Sequence, residues 1–251
     1  MTTVYAAHQP DLLPYSGFWY KMAKADLFDL KIWDQYVHKG YQRRVRMREA
    51  WVTVPLAKGS VTDPIFDKRI TDEAPAHLAD SIARVYRYGH KKPQFWDRYG
   101  PRICDEVLSL RTDVLWEFNF RLILLVRDIL GIETPVTFSR PAAPDCRGSD
   151  SIISVMQAFA PPLAYLSGTG GQAYMGDCQE FTDAGIPVIW SRHRAVTGDS
   201  ILTVLFDYED PLSVVLAEHD ELEELEGLAD IGDTDHAPLD VSSTANEGVR
   251  V

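Results

Sequence analysis

Four stretches of the chain combine residue types that could do chemistry. The first is His8-Gln9-Pro10, with Pro14 and Gly17 following. The apolar run Val4–Ala7 just before it reads as a short buried strand, which puts the histidine at a strand's carboxyl end. Open parallel sheets bind their ligands there. An imidazole in that place can serve as base or hydrogen-bond donor near neutral pH, and a helix starting near Gly17 would offer backbone amides to an anion. The ordinary structural reading is a histidine that closes a turn. The second stretch is basic and aromatic together, with Tyr36, Lys39, Tyr41, Arg43, Arg44, Arg46 and Arg48. Arginine suits bidentate contact with phosphate or carboxylate. If the segment is extended, Gln42, Arg44, Arg46 and Arg48 share one face, and their repulsion calls for an anion or for carboxylates. Otherwise it is an edge strand blunted by charge.

The third stretch is Tyr165-Leu166-Ser167-Gly168-Thr169-Gly170-Gly171, with Tyr174 beyond it. Glycines after a strand let backbone amides approach a phosphate, although neither the P-loop nor the GxGxxG spacing is present. A plain strand-to-helix turn would use the same residues. The fourth, Tyr86 to Trp96, mixes aromatics with cations and reads best as a helix-to-helix corner with snorkelling lysines. His8, His38, His77 and His90 show no HExxH or paired-ligand spacing, so no metal site is expected. There is no GxSxG elbow, and no cysteine lies beside a base in sequence. No cofactor is expected either.

The elements that must position these residues follow from apolar periodicity and from Pro and Gly punctuation. Strand Val4–Ala7, a helix from about Gly17 to Ala25 and a strand over Asp26–Trp33 make one parallel crossover, which predicts an α/β fold with a mostly parallel, Rossmann-like sheet. Further strands are expected at Trp51–Leu56, Ile65–Ile70, Pro135–Phe138, Leu163–Leu166 and Ile186–Trp190. Helices are expected over Pro75–Tyr88, Pro93–Leu110 and Thr112–Leu130, a helical insertion at about 74–131 with Gly131 as its cap. Ser149-Asp150 would cap a helix through Met156, and Ser200–Phe206 would form another. A single domain over 1–206 is thus expected, then an acidic amphipathic helix over 207–229 and a disordered acidic tail over 230–251.

The chain has 251 residues and a formal charge of −12. That total misleads. The stretch from Asp207 to Val251 holds 14 acidic residues against one basic, and the other 206 residues hold 23 against 24. The body is therefore near neutral, and an anionic ligand is compatible with it. No apolar run approaches the roughly 20 residues of a membrane span, so no membrane insertion is expected. The N-terminus lacks the pattern of a signal peptide, and the expected location is cytoplasmic. Three cysteines without CxxC spacing suggest neither disulfides nor zinc.

The blocks also share an order. His8-Gln9-Pro10-x-x-Leu13-Pro14-x-x-Gly17-Phe18 and Lys21–Asp26 resemble the start of the WbqC-like family. Asp34 with Tyr41-Gln42-x-Arg44, then Trp51–Pro55, Tyr165–Gly168 with Tyr174, and Ser200–Phe206 are similar to its later blocks. Tyr41 and Arg43 stand where the family usually has tryptophan and asparagine, and its His-Pro and Tyr-Gln segment is reduced here to Arg192-His193-Arg194. Members occur in O-antigen gene clusters. The resemblance implies glycyl-type or other acyl transfer onto an amino sugar nucleotide or a related phosphorylated acceptor. The opening crossover also looks like the nucleotidyltransferases that carry His-x-Gly-His, as fold analogy alone.

The leading expectation is thus a small-group transferase. His8 would act as base, Gln9 would orient the acceptor, and Asp34 would orient His8, Arg44 or the acceptor. Lys21, Gln42, Arg44, Arg46, Ser167, Gly168 and Tyr174 would bind a phosphorylated or carboxylated small molecule. The alternative is a nucleic-acid modifying or binding protein that uses Lys39–Arg48 and is autoinhibited by its acidic tail. A third reading is a non-catalytic module that delivers a small acidic ligand.

Overall fold

The computed structural model describes residues 2–60, 62–90, 92–143, 146–160 and 162–219. The tail expected to be disordered, and the part of the acidic helix beyond 219, lie outside the described residues.

Strand β1 (Thr3–His8) is followed by helix α1 (Ser16–Lys24) and by strand β2 (Leu27–Leu30), which pairs parallel to β1 with His8 opposite Leu30. Strand β5 (Val136–Thr137) extends the sheet beyond β2. On the other side of β1 lie β6 (Leu163–Ser167) and then β7 (Val188–Trp190). All four pairings are parallel, so the fold is α/β. The order β5-β2-β1-β6-β7 steps outward from β1 in one direction and then starts again on its other side. The order reverses between β1 and β6, at His8 and Ser167, where a crevice opens in sheets of this kind.

Alternation along β1 divides the interior. Ala6 belongs to one core with Phe18, Met22 and Phe28, and Tyr5 and Ala7 to another with Ile152, Tyr165 and Phe181. The second core is covered by α5 (Gly148–Met156), α6 (Gln172–Met175) and α7 (Gln179–Asp183). Helix α5 starts at Gly148 after Arg147, with no side-chain cap, rather than on a cap by Ser149 or Asp150. The first core also takes up the helical middle: α2 (Ala74–Ile82), which widens into a π turn through Arg87, α3 (Trp96–Ser109) and α4 (Leu115–Leu130). Gly131 ends α4 at φ 70, the left-handed cap its position predicts. The Tyr86–Trp96 stretch is a core corner: Tyr86 and Trp96 both pack on Phe206, at 4.8 and 5.2 Å between ring centroids.

Two expected elements differ. Ile65–Ile70 is no strand. Pro64 leads into one 3-10 turn, Ile65–Asp67, and the amides of Ile65 and Phe66 donate to the carbonyls of Asp34 and Ile32. The acidic helix expected over 207–229 is, among the described residues, α9 (Pro211–Leu216). At Ala217 the backbone turns extended, and Glu218 bridges across His193.

The basic stretch forms a hairpin, β3 (Arg44–Met47) and β4 (Ala50–Thr53), with Val45 and Met47 buried on one face. Its two-residue turn, Arg48-Glu49, has φ of 49° and 69°, where such turns ordinarily take Asn-Gly. Tertiary contacts hold it. Arg48 donates to both oxygens of Asp207, and the Glu49 amide to Asp199, both from the segment entering and forming α8 (Ile201–Asp207).

Candidate functional site

Strand β1 delivers His8 to the switch point. The loop after it turns back at once, braced by Asp11 N–H to Gln9 O (2.9 Å) and by Leu12 N–H to Tyr41 O (2.9 Å). Leu13 sits fully buried at φ 44, a conformation a non-glycine residue keeps only when held. Here Ser200 Oγ donates to Leu13 O and the Ile201 amide to Pro14 O. The N-terminus of α1 expected to greet an anion is covered. Ser16 and Gly17 are buried, the Tyr15 ring fills the space where a Gly17 side chain would begin, and Ser16 Oγ bonds His193 Nε2 at 2.8 Å.

Around His8 lies a polar cluster whose members are mostly buried. His8 Nδ1 is 3.0 Å from Gln9 O and 3.5 Å from Asp11 Oδ2. With the proton on Nδ1 toward Gln9 O, the ring's lone pair lies at Nε2. Gln42 Nε2 donates to Gln9 Oε1 and to Asp11 Oδ1. Gln9 Nε2 donates in turn to Asp34 Oδ2 (3.1 Å), and Lys31 Nζ lies 3.2 Å from Asp34 Oδ1. Lys21, on the first buried turns of α1, donates to Ala7 O at 3.1 Å. From below, fully buried Asn119 on α4 donates to Pro10 O (2.7 Å) and Gln42 O (2.6 Å), which pins both strands of the loop. His8 keeps 28% of its side chain exposed against 9% for Asp11, so of this pair the histidine faces solvent.

Burial favours the neutral form of each group, and charge reinforces it at His8 but opposes it at Asp11. Burial first, then the charges of Lys21 and Lys31, push His8 down to about 3. Burial lifts the Asp11 carboxyl to about 7 against the pull of Lys21 and Gln42. Burial lowers Lys21 to about 8, with Asp11 opposing, so its ammonium is still largely charged at neutral pH.

Strand β6 brings the glycine turn alongside. A side chain started on Gly168 would meet only Lys21 Cδ, at 3.9 Å, and one on Gly170 would meet nothing within 4 Å. The turn and the Lys21 side chain are thus neighbours, and the backbone there is open to approach. Ser167 points the other way: its hydroxyl donates to Gly168 O and fills the space over Gly171. Tyr174 lies in α6, and its side chain is outside the described ones.

The sequence candidates therefore separate. His8, Gln9, Lys21, Gln42, Asp34 and Gly168 form one linked neighbourhood. Asp34 makes no contact with His8 and holds Gln9 and Lys31 instead; the carboxylate beside His8 is Asp11. Arg44 stacks on Trp51 at 4.2 Å, and Arg46 is bound to Asp199 (Nε–Oδ1 2.9 Å). Asp11, Lys31 and Asn119 are new. An acid three residues after a strand-end histidine, and an asparagine inside the apolar helix LWEFNFRLILL, were the available signals.

A hollow of about 420 Å³ at the outer edge of the sheet is lined by Asp177, Thr182, Val188 and Trp190 among others, with no Lys, Arg or His in its lining. Among the described residues, no group of three or more His, Cys, Asp or Glu side chains is placed to hold a metal ion, and no helix is long and apolar enough to cross a membrane.

The model of the WbqC-like protein family matches residues 9–197, three quarters of the chain. No curated protein and no solved structure matches it.

Proposed function

The chain belongs to the WbqC-like protein family, and from that membership together with the cluster at the switch point we propose that it is a small-group transferase moving an aminoacyl or acyl group from a phosphate-activated donor to an amine or hydroxyl acceptor. The observation that carries this reading is the meeting of His8, Lys21 and the open Gly168–Gly170 backbone where the strand order reverses. The Lys21 ammonium and the turn hold the donor's phosphate. The acceptor's nucleophile attacks the acyl carbon, a new C–N or C–O bond forms, and the C–O bond to phosphate breaks. The nucleophile's proton passes to His8 Nε2, and the phosphate leaves with the electron pair.

A bound anion offsets the two ammonium charges that depress His8, so donor binding itself raises the base toward a useful pKa. The acceptor belongs to the amino sugar nucleotides or related phosphorylated compounds. The nucleic-acid alternative has less support, because Arg46 and Arg48 are committed to Asp199 and Asp207 and leave no continuous cationic track.

The test is turnover. Phosphate-activated amino acids are incubated with amino sugar nucleotides, and the acceptor's mass is followed. An aminoacyl gain with the native protein, reduced at least about 100-fold by His8→Ala, is expected. Equal turnover by the variant refutes the assignment of the base, and donor returned unchanged in every combination identifies a binding module.

A further inference from the structure

The segment from Tyr36 to Arg48 carries more positive charge than its carboxylates neutralise. Arg46 is paired with Asp199 and Arg48 with Asp207. Lys68, whose ammonium stands 4.8 Å over the Tyr36 ring, has Asp63 at 3.1 Å. Arg43 and Arg44 have no carboxylate partner among the described residues. The Nε–H of each is buried without a hydrogen-bond partner, and so is the hydroxyl of Tyr36, a residue only 3% exposed. Arg43 and Arg44 are consecutive residues, and the charge of each acts on the Tyr36 hydroxyl, drawing its pKa down against the larger upward push of burial.

A buried donor without an acceptor is destabilising, and three in this part of the chain leave a deficit. One acceptor species cancels it. Nε–H is the edge a guanidinium uses, together with an Nη, in side-on contact with carboxylate or phosphate oxygens, and a phenol can donate to the same group. Arg44 is already oriented by lying 4.2 Å over Trp51. Trp51 is 48% exposed and Tyr41 37%, with 5.8 Å between their ring centroids, so an aromatic surface adjoins the guanidinium. The run then continues into Arg46 and Arg48, which are neutralised. That suits one anionic group of a small molecule rather than a polyanion.

We infer that Tyr36, Arg43 and Arg44 form an anion subsite for a phosphate or carboxylate group of a small-molecule ligand, with Trp51 and Tyr41 facing the rest of that ligand. Gln42 connects this subsite to the His8 cluster. It precedes Arg43 directly, and its amide reaches Gln9 and Asp11. In the transferase reading the subsite holds an anionic end of the substrate away from the reacting centre. That role rests on the reading above, but the binding itself does not.

The full-length protein is titrated with inorganic phosphate and, separately, with acetate, while the arginine Nε–H and histidine ring resonances are followed by NMR. The Arg43 and Arg44 Nε–H signals should shift along a common saturable isotherm with at least one of the two anions, and the stronger one names the group. Tyr36→Phe should weaken that isotherm by about 10-fold, the loss of one charge-assisted donor, and Arg43→Gln by at least as much. Thermal melts confirm that the variants are folded. Unmoved Arg43 and Arg44 signals with either anion, or isotherms unchanged in both variants, overturn the subsite. A His8 response without an arginine response leaves only the switch-point reading standing. The reverse result leaves only the subsite.

Discussion

His8 and Asp11 make opposite demands on the folded state, and Asp11→Asn separates them. The carboxyl goes from 3.8 in the unfolded chain to about 7 in the fold. Between those values the native state holds a proton that the unfolded state has lost, so stability falls as pH rises. His8 behaves oppositely. It is held at about 3 against 6.5, the unfolded state binds the extra proton, and stability rises across that window. From about pH 4 to 6.5 the two slopes nearly cancel, and native stability should be flat on their account. At ~1.4 kcal/mol per pH unit, the Asp11 contribution alone reaches about 4 kcal/mol above pH 7. Asparagine keeps the shape and still accepts from Gln42, but it cannot ionise. It also removes the counter-charge that helps keep Lys21 protonated, which trims the gain to about 2–4 kcal/mol. Asp11→Asn should therefore match the native protein near pH 4 and exceed it at pH 8 by roughly 10 °C in Tm, at about 2–4 °C per kcal/mol for a chain of this size. The assay is thermal or urea unfolding at pH 4, 6 and 8. A stability difference between the two proteins that does not change with pH would refute the claim that Asp11 is buried at a carboxyl's expense.

Three further outcomes test the same neighbourhood. Phosphate should raise the His8 pKa, read from its ring proton shift, and Lys21→Met should raise it without phosphate and abolish the response, because the Lys21 charge is then gone; an unchanged titration in Lys21→Met would break the coupling. Gly168→Ala should be nearly silent, since its φ is −73° and a methyl group would only touch Lys21 Cδ at 3.9 Å, whereas Gly168→Leu should weaken phosphate binding at least about 10-fold by crowding that ammonium, and normal binding by the leucine variant would remove the turn from the site. Asn119→Leu should cost about 2–5 kcal/mol in urea unfolding, as two buried carbonyls, Pro10 O and Gln42 O, lose their donor; a loss below about 1 kcal/mol would mean the loop is held by other contacts.

Local rules made part of this molecule legible. The crossover β1–α1–β2 follows from apolar runs interrupted by Pro10, Pro14 and Gly17, and its parallel pairing is what such a unit requires. Gly131 could be read as a cap because capping is a property of a few adjacent residues, and the helix expected from Ser200 does start there, with Ser200 Oγ accepting from the Leu202 amide. Ile65–Ile70 misled because its apolar content suits a strand, while its backbone bonds go to Asp34 and Ile32, 30 residues and more away in sequence. The Arg48-Glu49 turn contradicts turn chemistry, and only Asp199 and Asp207, some 150 residues on, make it tenable.

The candidate site was half visible for a related reason. Residue type and spacing could nominate His8, Gln9 and Gln42, since each stands at a strand end or in a polar run. They nominated Asp34 as a partner of His8 and passed over Asp11, because the choice depends on which carboxylate the loop buries. The loop buries Asp11 because Asn119 and Gln42 supply donors that make an inward turn tenable, and those donors come from helix α4 and from the turn leading into the hairpin. A buried acid in a loop therefore implies a distant donor, and the single polar residue in the apolar run of α4 was the place to look for it. The same rule applied to cations leads to Arg43 and Arg44. Their neighbours Arg46 and Arg48 found carboxylates within the chain, whereas Arg43 and Arg44 have none among the described residues, and that is the acceptor the proposed anion subsite would supply.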